Sequence, residues 1–210
     1  MMHDVTHFLA SLVVLLPAFI IGLSFHEFSH ARVAVWLGDD TPKRMGRLTL
    51  NPIAHIDPFG LLFLILFKFG WAKPVIFDQH NFKHPRFYSI LTALAGPLSN
   101  FFLALACFYG ITYLPAAHLP HAATVSFLQI LQATAYINIM LGVFNLLPIP
   151  PLDGSHVLTA FLVKKYPEVV LWIYQYSFFI LIGLLLLPPT QRMLFNLMAI
   201  AEHLLKMLVF

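Results

Sequence analysis

The sequence predicts an all-α polytopic membrane protein with about five transmembrane helices, a short re-entrant or interfacial segment and a small β element. Three observations predict it. The 210 residues are 60% hydrophobic and only 10% charged, with mean hydropathy +0.82, whereas soluble domains carry about a quarter charged residues. The apolar residues gather into runs near the roughly 20 residues that a bilayer demands. The basic residues fall in short stretches between those runs, a pattern that sets membrane topology rather than binding nucleic acid.

The length fits one integral-membrane domain over 1–210, with no repeat, charge run or low-complexity linker. A single cysteine, Cys107, excludes an intrachain disulfide framework and a cysteine-based zinc site. The start "MMHDVTHFLA" lacks the basic region of a signal peptide, so the first apolar run reads as a retained span.

Along the chain, spans are expected at 8–25, 88–114, 124–147 and 168–187. Residues 59–70, "FGLLFLILFKFG", are apolar but too short to cross, which suits a re-entrant or interfacial piece. "GRLTLNP" at 46–52 alternates apolar and polar residues and reads as a short strand. The last segment, 191–210, carries Arg192, Glu202, His203 and Lys206. It reads as a fifth span or as a helix lying on the surface. Lys and Arg crowd 32–86 and recur at Lys164 and Lys165, while the turn "LPAAHLPHAAT" has none. The N-terminus is therefore expected outside and the 32–86 and 148–167 loops in the cytoplasm.

Against this apolar background, "LSFHEFSH" at 23–30 stands out. On a helix, His26 and His30 share a face at i and i+4, close enough to bind one metal. Glu27 is offset by one residue and can reach a water without being a ligand. This is the H-E-x-x-H arrangement of zinc hydrolases. A carboxylate at membrane depth is costly and marks function; the plain alternative is a pair of interfacial histidines near a helix end.

A catalytic zinc usually has three protein ligands. His55, Asp57, His80, His84, Asp153 and His156 are the candidates for the third. In "FNLLPIPPLDGSHVL", 144–158, three prolines break the third span before Asp153 and Gly154. Broken backbone at membrane depth is tolerated where it lines a cavity, and the charge pattern puts this break on the side of "HEFSH". Asp153 is placed to be the third ligand, or to cap the helix that follows. In "NPIAHIDPFG", His55 and Asp57 either support the site or shape a turn, and in "LAGPLSN" the small Gly96 suits close packing beside the first span.

Taken in order, "HEFSHA", "GRLTLNPIAHIDPFG", "WAKPV", "LAGPLSN" and "FNLLPIPPLDG" resemble the site-2 protease family of intramembrane zinc metallopeptidases (peptidase family M50), in its short branch without PDZ or CBS domains. The resemblance covers residues 20–160. It implies one Zn2+ per chain held by His26, His30 and Asp153, Glu27 as catalytic base, and Asn145 near the reacting atoms. It also implies regulated cleavage of a transmembrane or membrane-proximal segment of a partner protein, a transmembrane substrate in the lipid bilayer; the charge pattern speaks against a nucleic-acid partner, and a dimer is left open. The chain departs from the family at His156, where a basic residue such as Arg is expected, and at the extra His80 and His84. These leave a second metal-binding or pH-sensing role for that loop open. Two rival classes are a polytopic metal transporter, which needs a second polar helix facing the first, and a catalytically inactive substrate-binding homologue, which would have lost Glu27 or a ligand.

Overall fold

The structure is a computed structural model that describes residues 2–67, 70–113 and 121–209; the side chains at 2–12, 64, 65, 67, 121 and 122 are outside that description. Its helices in chain order are α1 (Met2–Trp36), α2 (Thr41–Arg44), α3 (Pro58–Phe67), α4 (Pro85–Tyr113), α5 (His121–Asn145), α6 (Gly154–Leu162), α7 (Pro167–Leu186) and α8 (Pro188–Met207). Among the described residues, four helical stretches are long and apolar enough to cross a membrane: Val13–Trp36, Pro85–Tyr113, Ala123–Asn145 and Pro167–Leu186. The protein is thus an all-α polytopic membrane protein. The basic-free turn of the sequence lies largely outside the described residues.

Three long helices, α1, α4 and α5, pack pairwise and form the centre. Small residues make this close: Ala18, Ala31, Ala34, Ala93, Ala104 and Ala135 are all buried. Without a hydrophobic drive between helices in lipid, close van der Waals contact through small residues is what holds spans together. The apolar end of this centre gathers Ala104, Cys107 and Phe108 of α4 with Ala135, Ile139 and Val143 of α5.

Three expectations change. First, α1 does not stop at residue 25 but runs on to Trp36, so "HEFSH" lies inside a helix and not at its end. Nothing in 26–36 breaks a helix: there is no Pro or Gly until Gly38, whose φ of 108° ends the run. Second, the last segment forms α8 but is not among the four apolar stretches. Leu194, Met198, Ala201 and Leu205 face the neighbouring helices, while Arg192, Asn196 and His203 are exposed. Its end is tied to α4 by the Tyr109 and Tyr113 hydroxyls, which donate to the Leu208 and Val209 carbonyls at 3.0 and 3.1 Å.

Third, no strand occurs among the described residues, and "GRLTLNP" is not one. Local side-chain bonds outcompete extension there. Asn51 N–H donates to the Thr49 hydroxyl, Asn51 Oδ1 accepts from Ile53 N–H, and the buried His55 ring donates to the Thr49 carbonyl at 2.7 Å. The chain curls instead of pairing. What remains of the β element is a single antiparallel bridge between Ile56 and Ala72, beside a bond from Lys73 N–H to the His55 carbonyl at 2.8 Å. Of the 59–70 stretch, residues 59–67 fall in the short helix α3, with Asp57 Oδ1 accepting from Gly60 N–H in its first turn.

Candidate metal centre

Sequence spacing puts His26 and His30 one turn apart on α1, and the rings lie edge to face at 4.6 Å between centroids. Their Nε2 atoms are 3.0 Å apart. Each ring is held from behind by its Nδ1. That of His30 donates to the Thr92 carbonyl of α4 at 2.7 Å, and that of His26 meets Asn100 Oδ1 of α4 at 2.6 Å. A carbonyl only accepts, so the His30 proton sits on Nδ1 and its Nε2 presents a lone pair to the site.

The third group comes from the broken segment. After α5, Pro148, Pro150 and Pro151 prevent helix, and the chain turns before α6 begins at Gly154. Asp153 occupies the capping position of α6 yet makes no capping hydrogen bond. Its Oδ2 lies 3.0 Å from His26 Nε2 and 3.4 Å from His30 Nε2. The capping alternative is thereby set aside. Among the described residues these three are the one group of metal-ligating side chains that converges.

Two features test whether a metal fits. Asp153 Oδ2 is buried and has no hydrogen-bond donor, as expected when the nearest nitrogens carry lone pairs and not protons. A buried carboxylate oxygen facing two such nitrogens is costly unless a cation lies among them. The triangle of 3.0, 3.0 and 3.4 Å also has the edges of a tetrahedral site. Ligands about 2.0–2.1 Å from one centre sit about 3.3 Å apart. Two imidazoles and one carboxylate suit Zn2+, and the residues fit.

Packing shields the centre. Gly96 of α4 lies directly over the rings, and a Cβ there would come within 2.3 Å of His30 Nε2 and 2.6 Å of His26 Nε2. Gly154 is pressed against the Leu146 carbonyl in the same way, which lets the Asp153 turn tuck under α5. His26, Glu27 and His30 are 4%, 7% and 6% exposed, while the Asp153 side chain, at 19%, forms the more open edge of the site.

Glu27 is not part of the triangle. Its Oε2 accepts from Val75 N–H at 2.9 Å, at the end of the "WAKPV" stretch. That stretch is anchored further along by Asp39, wholly buried, whose carboxylate accepts from Asp78 N–H and Asn81 Nδ2, both at 2.7 Å.

None of the other ligand candidates read from the sequence joins the triangle. Asn145 turns its amide to its own helix and donates to the Leu141 carbonyl at 3.0 Å. His55 and Asp57 shape the turn described above. His80 is exposed and pairs with Asp78 at 2.9 Å, and His84 packs edge-on against Tyr88. His156, one turn beyond Asp153, lies with its ring 5.6 Å from that of Phe77. Sequence reasoning missed Asn100 and Asn138, both fully buried. The available signal was two carboxamides inside apolar spans, where an unsatisfied amide is expensive.

The profile of peptidase family M50 matches residues 114–184, a range that holds Asn145 and Asp153 but not the histidine motif. Relatives bearing the name "Putative zinc metalloprotease" match more of the chain. YwhC of Bacillus subtilis (strain 168) is 42% identical over 141 residues, covering 66% of this chain and 64% of its own. Rip2 of Mycolicibacterium smegmatis is 33% identical over 192 residues, covering 88% of this chain and 71% of its own. Rip2 of Mycobacterium tuberculosis (strain H37Rv) is 30% identical over 190 residues, with the same coverage. The chain thus spans just under two thirds of the Bacillus relative's length. No solved structure matches.

Proposed function

The chain belongs to peptidase family M50, and from that premise we propose that it is a zinc endopeptidase that cleaves a membrane-embedded or membrane-proximal segment of a partner protein. The observation that carries this reading is the convergence of His26, His30 and Asp153 from two separate parts of the chain, inside a bundle of membrane-length helices.

Zinc, when bound, supplies Lewis-acid polarisation of a carbonyl and lowers the pKa of water toward about 7. His26 and His30 hold it through Nε2 and Asp153 through a carboxylate oxygen. Glu27 is the base: the Val75 N–H holds one carboxylate oxygen, Oε2, and the proton of the attacking water is taken at the other. Glu27 then delivers that proton to the leaving amine. Asn145, the last residue of α5, gives one amide proton to the Leu141 carbonyl and retains its second N–H and its Oδ1 for contact with a substrate.

A peptide bond inside a helix has its carbonyl already hydrogen-bonded and screened by side chains. The substrate segment must therefore unwind at the cut, and Gly or Pro near it lowers that cost, by about 1 and 3 kcal/mol relative to Ala. The charge pattern supports an N-terminus outside and a metal centre toward the cytoplasmic side of the cell membrane. The packing of Phe77 against His156 joins the 32–86 and 148–167 loops at one end, in keeping with a shared side. The test is cleavage of a panel of single-span substrates by the purified protein with its metal content measured. Cleavage that needs zinc supports the reading, and inertness of a zinc-loaded protein toward the whole panel speaks against it.

A further inference from the structure

The two buried carboxamides form a chain of bonds whose directions are forced. Asn138 Nδ2 reaches the Thr134 carbonyl at 2.8 Å, and that carbonyl can only accept. Asn138 Oδ1 therefore faces Asn100, at 2.8 Å from Asn100 Nδ2. The same Nδ2 reaches the Gly22 carbonyl at 3.0 Å, again an acceptor only. With both amide protons committed, Asn100 can offer His26 nothing but Oδ1, at 2.6 Å. His26 must then carry its proton on Nδ1, which leaves the Nε2 lone pair pointing at His30 and Asp153.

We propose that Asn100 is a positioning residue for the metal ligand His26, with its amide orientation locked by Asn138, so that α5 sets the metal affinity of a site on α1. This rests on the assignment of His26 as a ligand. Burial strengthens the case: Asn100 and Asn138 are wholly inaccessible, so no water can substitute for either bond. Gly22 makes it sterically available, since a Cβ there would come within 2.7 Å of Asn138 Oδ1. A histidine ligand backed by an acceptor is better oriented and more basic, and loss of the backing group typically costs 10–100-fold in metal affinity.

A merely structural role for Asn100 makes a different prediction, and two substitutions separate them. Asn100→Asp keeps an acceptor for His26 Nδ1–H but loses both donor bonds and sets an oxygen against the Gly22 carbonyl. Asn100→Leu removes the acceptor but leaves no repelling oxygen. The full chain, purified in detergent, is stripped of metal, and its zinc affinity is measured against a chromogenic chelator. Thermal unfolding of the metal-free protein is measured in parallel, and the absorption of the Co2+-loaded protein reports ligand geometry.

The expected result is a reversal of order. Asn100→Leu binds zinc about 10–100-fold more weakly and alters the Co2+ spectrum, while Asn100→Asp binds zinc at least as well as the unaltered chain. In metal-free stability the aspartate variant is the worse of the two. Equal zinc loss in both variants, or none in either, overturns the proposal. If neither Asn100 variant folds, Asn138→Ala decides: weaker zinc binding supports the lock, and unaltered binding overturns it. A His26→Ala control separates the premise from the inference, because undiminished zinc binding in that variant would mean that His26 is not a ligand at all.

Discussion

Asp153 occupies a capping position without capping anything, and its carboxylate points instead at two histidine nitrogens. Of the two roles that the sequence left open, this geometry favours the proposed ligand over the cap. Removing a cap costs about 1 kcal/mol and leaves chemistry intact, whereas removing a ligand takes away one anchor of three and a balancing charge. Asn is a good cap and a poor zinc ligand. Asp153→Asn is therefore expected to fold yet to lose most of its zinc and its cleavage activity, measured by metal analysis and substrate turnover. Single changes of His55, His80 or His84 to Ala should leave zinc content unaltered. At Glu27 the outcome is the reverse, because it lies outside the triangle: Glu27→Gln keeps its zinc and is inactive. The histidine pair was legible because i, i+4 spacing is a local property of a helix. Asn100 was not, since its role depends on which face of α4 meets α1, and no spacing within α4 states that. Asn145 shows the opposite case, a residue marked by its motif whose amide in the structure is bonded to its own helix.

At the scale of elements, the pair α1 and α4 depends on Gly96. A methyl group there would overlap both metal-facing nitrogens. Gly96→Ala is expected to push the helices apart, to destabilise the fold by about 1–3 kcal/mol as overpacked cores do, and to reduce zinc binding. Normal stability and zinc content in that variant would mean that the close approach is not needed. The loop that supports Glu27 carries its own pH signature through Asp39. Burial raises the Asp39 pKa, but bonds from the Thr41 hydroxyl, Asn81 amide, Asp78 N–H and Thr41 N–H outweigh it and hold the carboxyl below its ordinary 3.8. A lowered folded-state pKa contributes stability that is complete above the unfolded value and is lost as pH falls through the folded one. Thermal unfolding followed from about pH 5 downward through pH 3 should thus show a steeper loss in the unaltered chain than in Asp39→Asn. Equal slopes would mean that Asp39 is not a charged anchor. The helices themselves were largely legible, from apolar runs bounded by proline. The strand at "GRLTLNP" was misread because period-two patterning ignores what Thr49, Asn51 and His55 do to the backbone locally.

For the whole molecule, the four membrane-length helices and the grouping of "HEFSH" with the proline break were readable from hydropathy and charge. The amphipathic nature of α8 was only half visible, because its inward face became clear once α4 and α5 were in place. Which side of the membrane holds the site is a charge argument, and it is testable. With Cys107 replaced, a cysteine at Thr41 should resist an impermeant thiol reagent in intact cells, and one at Ala117 should react; the opposite pattern inverts the orientation. The central claim is that this centre performs zinc-dependent hydrolysis on a membrane segment. Its most direct test is mass-spectrometric mapping of the products formed from a single-span substrate by the purified chain in liposomes. The account predicts new termini within or at the edge of the span, absent after zinc chelation and absent with Glu27→Gln. The same products from Glu27→Gln, or from the zinc-free protein, would contradict it.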